Sequence, residues 1–237
     1  MSSLLISDAH LSPSHPEICE AFFKFLENEA INTKSLYILG DLFEAWIGDD
    51  DQEPLSRKVV LHLKKLTDSG VAVFLMQGNR DFLYGTTFTE QTGCKLLPDH
   101  HVLNYKNKKI LLLHGDTLCT DDKQYQRFRR IARSSFLRWL LIKLPLGTRQ
   151  KMAESWRSKS IQFNANKPEN IMDVSVSEVD RVMKKYSADI MIHGHTHRPK
   201  RHQHLHGERI VLGNWGEYGW FIRIKDEATL DLISFKI

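Results

Sequence analysis

The sequence predicts an α/β fold in which parallel strands alternate with helices and antiparallel strands complete the chain. Five short apolar runs end in Gly, Asp, Asn or His, which is typical of strands buried on both faces of a sheet. Two stretches with helical periodicity, residues 17–30 and 54–70, separate the first three runs. This order predicts right-handed βαβ units, whose ligand sites lie beyond the carboxyl ends of the strands.

Size and composition indicate one core in a reducing compartment. A chain of 237 residues with 41% hydrophobic residues can bury one sizeable core. Its three cysteines, Cys19, Cys94 and Cys119, are far apart and form no C-x-x-C pair, so neither a disulfide framework nor a thiolate zinc site is indicated. The N-terminal residues do not resemble a signal peptide, and the best candidate for a membrane span, residues 136–146, contains two basic residues and a proline. We expect a cytoplasmic protein that does not span a membrane.

The predicted elements follow in a regular order. The strand candidates are LLIS before Asp8, SLYILG before Asp41, VAVFLMQG before Asn79, KKILLLHG around His114 and ADIMIHGH around His193 to His195. The two helical stretches repeat apolar residues at every third and fourth position, and Gly70 is placed as a helix C-cap. After His197 the pattern changes to short strands and turns, which predicts an antiparallel completion of the fold.

Residues 121–167 differ from the rest of the chain in charge. They contain twelve basic and three acidic residues, a net charge of +9, which leaves −5 for the remainder of a chain whose total is +4. Arg129, Arg130, Arg133 and Arg138 alternate there with apolar and aromatic residues. We therefore predict a metal-site core formed by residues 1–120 and 168–237 and a basic, amphipathic helical cap formed by residues 121–167.

Polar residues after the five predicted strands form an ordered series. The series reads Asp8-x-His10, Gly40-Asp41-x-x-Glu44, Gly78-Asn79-Arg80-Asp81, His114 and Gly194-His195-x-His197. Carboxylates, imidazoles and amide oxygens are ligands for divalent ions such as Mn, Fe, Zn or Mg. Taken singly, such residues are usually helix caps or hydrogen-bonded core residues, but the ordered set predicts a metal site. Seven donors suffice for two ions if one carboxylate is shared.

Three neighbouring features are not expected to bind metal. Glu44 and His193 are expected to assist the ligands without binding metal. The acidic run at residues 48–53 lacks the glycine of a calcium loop and is interpreted as a solvated turn before the second helix.

The motif series resembles that of the calcineurin-like metallophosphoesterases, D-x-H, G-D-x-x-(D/E), G-N-H-(D/E), H and G-H-x-H, from Asp8 to His197. The resemblance implies an α/β sandwich of two packed mixed β-sheets flanked by helices, with an inserted helical cap. It implies that Asp8, His10, Asp41 and His197 hold one metal ion and that Asp41, Asn79, His114 and His195 hold the other. Asp41 would bridge the two. Such a pair of ions activates water and polarises phosphoryl oxygens.

Arg80 departs from the motif, in which His commonly follows the Asn. An imidazole can protonate an alkoxide leaving group, whereas a guanidinium holds its proton and instead clamps phosphate oxygens. Arginine in place of histidine therefore favours a leaving group that needs no proton, such as the phosphate released from a pyrophosphate.

Longer stretches resemble one branch of the superfamily, the UDP-2,3-diacylglucosamine diphosphatases of lipid A biosynthesis. These stretches are LGDLFEAWIGDDD, GNRDF, HGDTLCTDD, IMDV and IHGHTHRP. The resemblance implies hydrolysis of the pyrophosphate of UDP-2,3-diacylglucosamine at the α-phosphorus, giving UMP and 2,3-diacylglucosamine 1-phosphate, with two divalent ions, most often Mn(II).

The same resemblance implies the residues that contact substrate. Catalytic roles fall to Asn79, Arg80 and His195, and the substrate contacts are Asn79, Arg80, Asp122, Ser160, Asn164, Lys167 and His195. Tyr125, Trp46 and Arg157 are implied neighbours. Ala9, where Leu is common in the family, and the segment at residues 213–220 depart from the pattern.

The implied partners are the lipid substrate and an anionic membrane surface at the cytoplasmic face of the inner membrane, with neither nucleic acid nor an obligate protein partner. The basic, partly apolar cap suits a membrane interface, although its apolar residues could equally pack on its own helices. A nuclease or cyclic-nucleotide phosphodiesterase stays open as an alternative, as does a non-catalytic membrane adaptor. An adaptor would have lost ligands, whereas all seven are present.

Overall fold

The computed structural model describes residues 2–165, 173–225 and 229–237, and for residues 159–165 it describes the backbone only. The strands are β1 (Ser3–Ile6), β2 (Ser35–Ile38), β3 (Ala72–Leu75), β4 (Lys95–Leu96), β5 (His101–Tyr105), β6 (Lys108–Leu112), β7 (Ile190–His193), β8 (Lys200–His204), β9 (Gly207–Val211), β10 (Tyr218–Ile224) and β11 (Leu230–Lys236). The helices are α1 (Pro16–Asn28), α2 (Pro54–Asp68), α3 (Thr86–Thr92), α4 (Lys123–Ala132), α5 (Ser135–Lys143), α6 (Leu146–Ala165) and α7 (Val176–Tyr186).

The strands form two mixed sheets. The first has the order β11-β10-β1-β2-β3-β4, with β1 to β4 parallel and β10 and β11 antiparallel to their neighbours. The second has the order β5-β6-β7-β9-β8, in which β6, β7 and β9 are parallel and the two outer strands antiparallel. The prediction of two mixed sheets, with antiparallel strands late in the chain, is confirmed.

Alternation along the strands builds four layers. Leu5 of β1 belongs to a buried cluster with Leu112 of β6 and Ile192 of β7, so this cluster lies between the two sheets. Its neighbour Leu4 faces the opposite way, into the cluster that α1, α2 and α3 share with the first sheet. A third cluster joins α7 to the outer face of the second sheet. The layers are therefore helix, sheet, sheet, helix.

The two predicted helices are present with slightly different ends. Helix α1 begins at Pro16 and α2 at Pro54, each with proline in the first turn, where its missing N–H costs no hydrogen bond. Glu53 caps α2 by accepting a hydrogen bond from Leu55 N at 3.2 Å. Helix α2 ends at Asp68, and Gly70 follows with a φ of +96°, as expected of a glycine that turns the chain out of a helix.

The described residues of the cap segment form three helices, α4, α5 and α6. Arginine side chains hold them on the core: Arg133 Nη2 donates to the carbonyl of Gly78 at 2.7 Å, and Arg129 Nε lies 2.6 Å from Asp116 Oδ2. Arg138 Nη2 reaches the carbonyl of Tyr84 at 3.4 Å. These three arginines therefore contact the core and do not add to an outward-facing basic surface. The division into a core and a cap domain stays a prediction.

The acidic run after Trp46 forms a turn at Asp49 and Asp50 before α2, and its carboxylates also contact other segments. Asp49 accepts hydrogen bonds from Trp46 Nε1 and from the backbone N–H of Gly85 and Phe88, so its carboxylate caps the start of α3. Asp50 forms an ion pair with Arg149 of α6. The prediction of a turn before α2 holds, but Asp49 and Asp50 also contact distant segments, which sequence spacing does not reveal.

The segment at residues 213–220, unassigned from sequence, packs behind the first metal-site loop. Trp215 is 2% exposed and stacks edge-on against Phe22, Phe25 and Phe235 at ring centroid distances of 5.4–6.0 Å. Its backbone N–H donates to the carbonyl of Asp8 at 3.0 Å. The segment therefore joins the aromatic core to the loop that follows β1.

No helix among the described residues combines the length and the apolar character needed to cross a bilayer.

Candidate active site

The seven predicted ligands come together at the carboxyl ends of β1, β2 and β3 in the first sheet and β6 and β7 in the second. They are Asp8, His10, Asp41, Asn79, His114, His195 and His197. Asp8, His10 and His197 form one group, whose ligand atoms all lie within 4.8 Å of one another. His197 Nε2 is 3.3 Å from Asp8 Oδ1 and 3.3 Å from His10 Nε2.

Asp8, Asp41 and His114 form a second group with the same spacing. Asn79 joins it, because its Oδ1 lies 2.9 Å from His114 Nε2 and 2.9 Å from His195 Nδ1. Asp8 belongs to both groups of acidic and imidazole donors. The bridging role of Asp41, implied by the motif resemblance, stays a prediction.

Backbone pairing that continues beyond the strands holds these loops in place. Asp8 N donates to the carbonyl of Gly40 at 3.1 Å and His10 N to the carbonyl of Asp41 at 3.0 Å. Between the sheets, His195 N donates to Asp8 Oδ2 at 2.9 Å, and His114 Nδ1 lies 2.9 Å from the carbonyl of Leu39. The His114 ring thus directs Nε2 to the site.

Five of the predicted ligands have a left-handed backbone. They are Asp8, His10, Asp41, His195 and His197, with φ values from +48° to +65°. In the described part of the chain only two other non-glycine residues share this conformation, Lys106 and Ser187. Such residues cost about 1–3 kcal/mol each and persist where the surroundings enforce them, which is typical of functional sites. The backbone strain therefore coincides with the motif residues.

Two motif glycines leave room for the ligand carboxylates. A β-carbon at Gly78 would overlap Asp41 Oδ1, and one at Gly194 would overlap Asp8 Oδ2. The glycines of G-N-R-D and G-H-x-H therefore let the backbone of β3 and β7 approach the carboxylates that follow β2 and β1.

Two of the four candidate imidazole ligands, His10 and His195, are set up to act as neutral ligands. Burial lowers the pKa of His10 to about 3 and the pKa of His195 to about 4. Both rings are therefore uncharged at neutral pH, the state in which an imidazole nitrogen binds a metal ion. For His114, burial acts to lower the pKa, but the carboxylates of Asp41 and Asp8 raise it above its ordinary value.

The two central carboxylates differ in acidity. Burial raises the pKa of Asp41 to about 7, against the effect of His114. Burial also acts to raise the pKa of Asp8, but the hydrogen bond to His197 and the charges of His114 and His10 bring it well below its usual range. The nearby carboxylates of Asp81 and Asp8 raise the pKa of Asp41 further, and the positive charges of His114 and Arg80 offset this rise only in part.

Asp81, quoted with the motif but given no role from sequence, holds the loops together. It is fully buried and accepts hydrogen bonds from Gly78 N at 2.8 Å, Leu42 N at 2.7 Å and Tyr84 Oη at 2.7 Å. Its oxygens thereby tie the loop after β3 to the loop after β2. The acidic residue at the end of the motif was a signal for this role, because a buried carboxylate needs several donors.

Arg80 lies beside the second group of ligands. Its backbone N–H donates to Asp41 Oδ1 at 2.9 Å, its Nε lies 3.8 Å from Asp41 Oδ2, and its guanidinium pairs with Glu44. Arg157 of α6 also reaches Glu44, with Nε 3.0 Å from Oε1. The site edge therefore carries two guanidinium groups.

The other implied substrate contacts occupy different positions. Asp122 is buried and caps α4 by accepting from Tyr125 N at 3.0 Å. The Tyr125 ring lies 5.9 Å from the His195 ring, and its hydroxyl donates to Asp116. Trp46 is 3% exposed and packs in the core. Ser160 and Asn164 lie in α6, but their side chains are outside the described part, as is Lys167 altogether.

Residues 1–199 match the calcineurin-like phosphoesterase family. The chain belongs to this family. Similarity to curated proteins extends over almost the whole chain. A UDP-2,3-diacylglucosamine hydrolase of Photorhabdus laumondii is 46% identical, with 99% of both chains covered. One of Serratia proteamaculans is 45% identical over 99% of both chains, and one of Cellvibrio japonicus is 48% identical over 93% of both. Within the calcineurin-like phosphoesterases, the chain therefore belongs with the UDP-2,3-diacylglucosamine hydrolases.

The fold is also that of solved phosphoesterases. A structure described as a novel archaeal phosphodiesterase aligns with a TM-score of 0.51, covering 99% of this chain and all of that one at 12% identity. At this identity the likeness concerns the fold alone.

The family implies divalent metal ions, and the residues of this site fit them. The donor set consists of nitrogen and oxygen atoms in two overlapping groups. Gly78 and Gly194 leave room for the carboxylates of Asp41 and Asp8, and burial keeps His10 and His195 neutral. These donors suit borderline to hard divalent ions.

Proposed function

We propose that this protein hydrolyses the pyrophosphate bond of UDP-2,3-diacylglucosamine to UMP and 2,3-diacylglucosamine 1-phosphate, a step of lipid A biosynthesis. The observation that carries the proposal is the convergence of the seven predicted metal ligands beside Arg80, which replaces the motif histidine. The names of relatives that are 45–48% identical over nearly the full chain support the choice of substrate.

The site would hold two divalent ions, which we propose to be Mn(II). Their ligands would be Asp8, His10, Asp41, Asn79, His114, His195 and His197. Such ions, when bound, lower the pKa of water and polarise phosphoryl oxygens. This supplies the nucleophile that the side chains of the site do not offer.

The chain's own residues orient the substrate and balance its charge. The Arg80 guanidinium presents several donors to phosphoryl oxygens as negative charge develops on them, and it keeps its proton throughout. Asn79 and His195 lie next to each other and contribute the amide and imidazole contacts. Because the leaving group is a phosphate, no side chain has to donate a proton to it.

The proposal specifies which phosphorus is attacked, and this can be measured. Purified protein with Mn(II) and UDP-2,3-diacylglucosamine should release UMP. In water enriched in oxygen-18, the label should enter the phosphate of UMP, because attack occurs at the α-phosphorus. Release of UDP or free phosphate, or label found only in the lipid product, would contradict the proposal.

Asp41→Ala should lower turnover by about 10³-fold or more, because the variant removes a ligand implied for both ions. Asp68→Ala is the matched control, since Asp68 is an exposed carboxylate on α2 whose partner is Lys64. Turnover by both variants is measured at saturating Mn(II). Retention of most activity in Asp41→Ala would refute the shared-ligand assignment.

We propose further that the protein works at an anionic membrane surface on the cytoplasmic side of the inner membrane. The support is the outer face of the cap, where Ile131, Phe136 and Trp139 are 63%, 73% and 58% exposed. Exposed Arg130 and Lys143 adjoin this face. An apolar face bordered by basic residues is typical of helices that lie in a membrane interface.

The same cap gives less support to a nucleic-acid substrate. Arg129, Arg133 and Arg149 are only 15%, 11% and 3% exposed. Like Arg138 they contact core carbonyls or carboxylates, and their burial leaves little surface with which to neutralise phosphates. Single-stranded DNA, offered in place of the lipid nucleotide, should not be cleaved at a comparable rate.

A further inference from the structure

Glu44 lies where three separate parts of the chain meet. It follows β2 and is 13% exposed, and its Oε1 is shared by the guanidinium groups of Arg80, from the loop after β3, and Arg157, from cap helix α6. The sequence predicts only a supporting role for Glu44. The structure shows one carboxylate joining the metal-site loop to the cap.

The backbone around Glu44 is firmly placed. Glu44 N donates to the carbonyl of Leu11 at 3.1 Å, and Trp46 N donates to the carbonyl of Arg80 at 3.1 Å. Phe43 also forms a bridge with Leu11. The carboxylate is therefore carried by a segment paired with both the loop that follows β1 and the loop that follows β3.

The second oxygen of Glu44 shows where Arg80 and Arg157 lie relative to the predicted metal site. Oε2 lies 3.7 Å from Nδ1 of His10, a predicted ligand. The two guanidinium groups are thus next to the predicted metal site, where the phosphates of a pyrophosphate substrate would lie.

Two guanidinium groups that contact the same carboxylate oxygen would repel each other if the carboxylate were removed. Each guanidinium has five N–H donors, so it can keep its contact with Glu44 and still offer donors to a phosphate. Holding such groups in place before binding saves the cost of ordering them when the ligand arrives.

We propose that Glu44 is a positioning residue that holds Arg80 and Arg157 together as a preformed pyrophosphate clamp and thereby couples cap helix α6 to the metal-site loop. Because the clamp acts on a pyrophosphate, this inference rests on the proposed function. Glu44 acts through the two arginines and does not contact the reacting atoms.

The chain offers a matched control for the general effect of a cap–core ion pair. Arg149, at the start of α6, pairs with Asp50 in the same way that Arg157 pairs with Glu44. Asp50 is exposed, and none of its contacts is with a predicted metal ligand. Loss of the Asp50 pair should loosen α6 without affecting the clamp.

The first test needs no substrate and no metal. Amide hydrogen exchange is measured on the metal-free full-length protein, on Glu44→Gln and on Asp50→Asn. Glu44→Gln should speed exchange both in the second half of α6, near Arg157, and in the loop at residues 78–81. Asp50→Asn should speed exchange only near the start of α6. Unchanged exchange in Glu44→Gln at both places would overturn the inference.

The second test measures kinetics with UDP-2,3-diacylglucosamine at saturating Mn(II). Glutamine has nearly the same shape as glutamate, so a residue that only fills space would tolerate Glu44→Gln. We expect kcat/KM to fall about tenfold, through both KM and kcat, because the clamp contacts the phosphates of the bound substrate and stabilises the charge that develops on them. Glu44→Asp should recover part of the loss, and Asp50→Asn should stay within about twofold of the original protein.

An unchanged or higher kcat/KM in Glu44→Gln would overturn the clamp. So would an equal loss in Asp50→Asn, because the effect would then belong to cap docking in general. If the unaltered protein released no UMP, the proposed function would fail, whereas the exchange experiment would still decide whether Glu44 couples the cap to the metal-site loop.

Discussion

At the scale of single residues, the site depends on backbone conformations that few side chains accept. Asp8, His10 and Asp41 have positive φ angles, and Asp and His tolerate this region better than branched or bulky residues do. Gly78 and Gly194 serve a different purpose. Because they have no side chain, they leave room for the carboxylates of Asp41 and Asp8. Residue types in the motifs are therefore selected for conformation and space as well as for ligand chemistry.

Gly194→Ala should weaken Mn(II) binding by about 10- to 100-fold, because the new β-carbon would overlap Asp8 Oδ2 and displace a ligand carboxylate. Titration calorimetry of Mn(II) into metal-free protein measures the effect. Gly147→Ala is the control: Gly147 lies in α6 with no atom near its β-position, so the change should leave Mn(II) affinity as it is. Equal affinity in both variants would contradict the assignment of Asp8 as a ligand.

At the scale of elements, the loops after the strands behave as continuations of the sheets. Leu39 N donates to the carbonyl of Ile6 at 2.8 Å, and Leu11 N donates to the carbonyl of Leu42 at 2.9 Å. In the second sheet, Gly194 N donates to the carbonyl of His114 at 2.8 Å. The ligand loops are therefore held by backbone pairing, which gives them the rigidity that a metal site requires.

Buried arginine contacts play the same role for the cap. Arg149 is 3% exposed; it donates to the carbonyl of Leu144 at 3.0 Å and to that of Ile47 at 2.5 Å, and it pairs with Asp50. One side chain thus joins the α5–α6 turn to the core. The cap is attached by charge-assisted hydrogen bonds in addition to apolar contact.

Arg149→Met should lower the free energy of unfolding by about 2–4 kcal/mol, because it removes a charged donor from two part-buried carbonyls and breaks the ion pair with Asp50. Lys151→Met on the same helix is the control, since Lys151 is exposed; it should change stability by less than about 0.5 kcal/mol. Urea unfolding measures both. Equal stability of the two variants would show that the Arg149 contacts do not hold the cap.

At the scale of the whole molecule, the site exists only because two sheets are packed together. Asp8, His10, Asp41 and Asn79 come from loops of the first sheet, whereas His114, His195 and His197 come from loops of the second. Neither sheet alone supplies both groups of donors. The apolar cluster between the sheets, which includes Leu5 and Ile192, therefore determines the distances within the metal site.

The outward face of the cap leads to a prediction about the whole protein on a membrane. Replacing Phe136 and Trp139 together by Ser should lower binding to vesicles of phosphatidylglycerol and phosphatidylethanolamine at least about tenfold, because burying each ring contributes about 1.5–3 kcal/mol. Co-sedimentation measures the bound fraction. Leu61→Ser is the control, since Leu61 is 61% exposed on α2, outside the cap. Undiminished binding of the double variant would refute this face as the membrane contact.

Much of the fold and of the site follows from local sequence. The apolar runs before Asp8, Asp41, Asn79, His114 and His195 predict buried parallel strands, and the polar residues after them predict a shared site at their carboxyl ends. These predictions depend on spacing and hydrophobicity within short segments. The structure bears out the strands and brings the seven side chains together.

What sequence reasoning missed depends on contacts between distant segments. Asp81 ties two loops, Asp49 caps α3, and Trp215 lies behind the loop of Asp8. For each, the partner is at least 36 residues away in the chain, so no periodicity or motif reveals it.

The sequence by itself determined the order of strands and helices and the set of candidate metal-binding side chains, because strand burial, helical periodicity and ligand chemistry are properties of short segments. Only the tertiary structure decided how charged side chains outside the motifs are used. Arg133 contacts a core carbonyl, while Arg130 stays exposed three residues before it. Glu44 joins Arg80 of the loop after β3 to Arg157 of cap helix α6. Such pairings arise when packing brings distant charges together, since an ion pair forms wherever its partners meet in space.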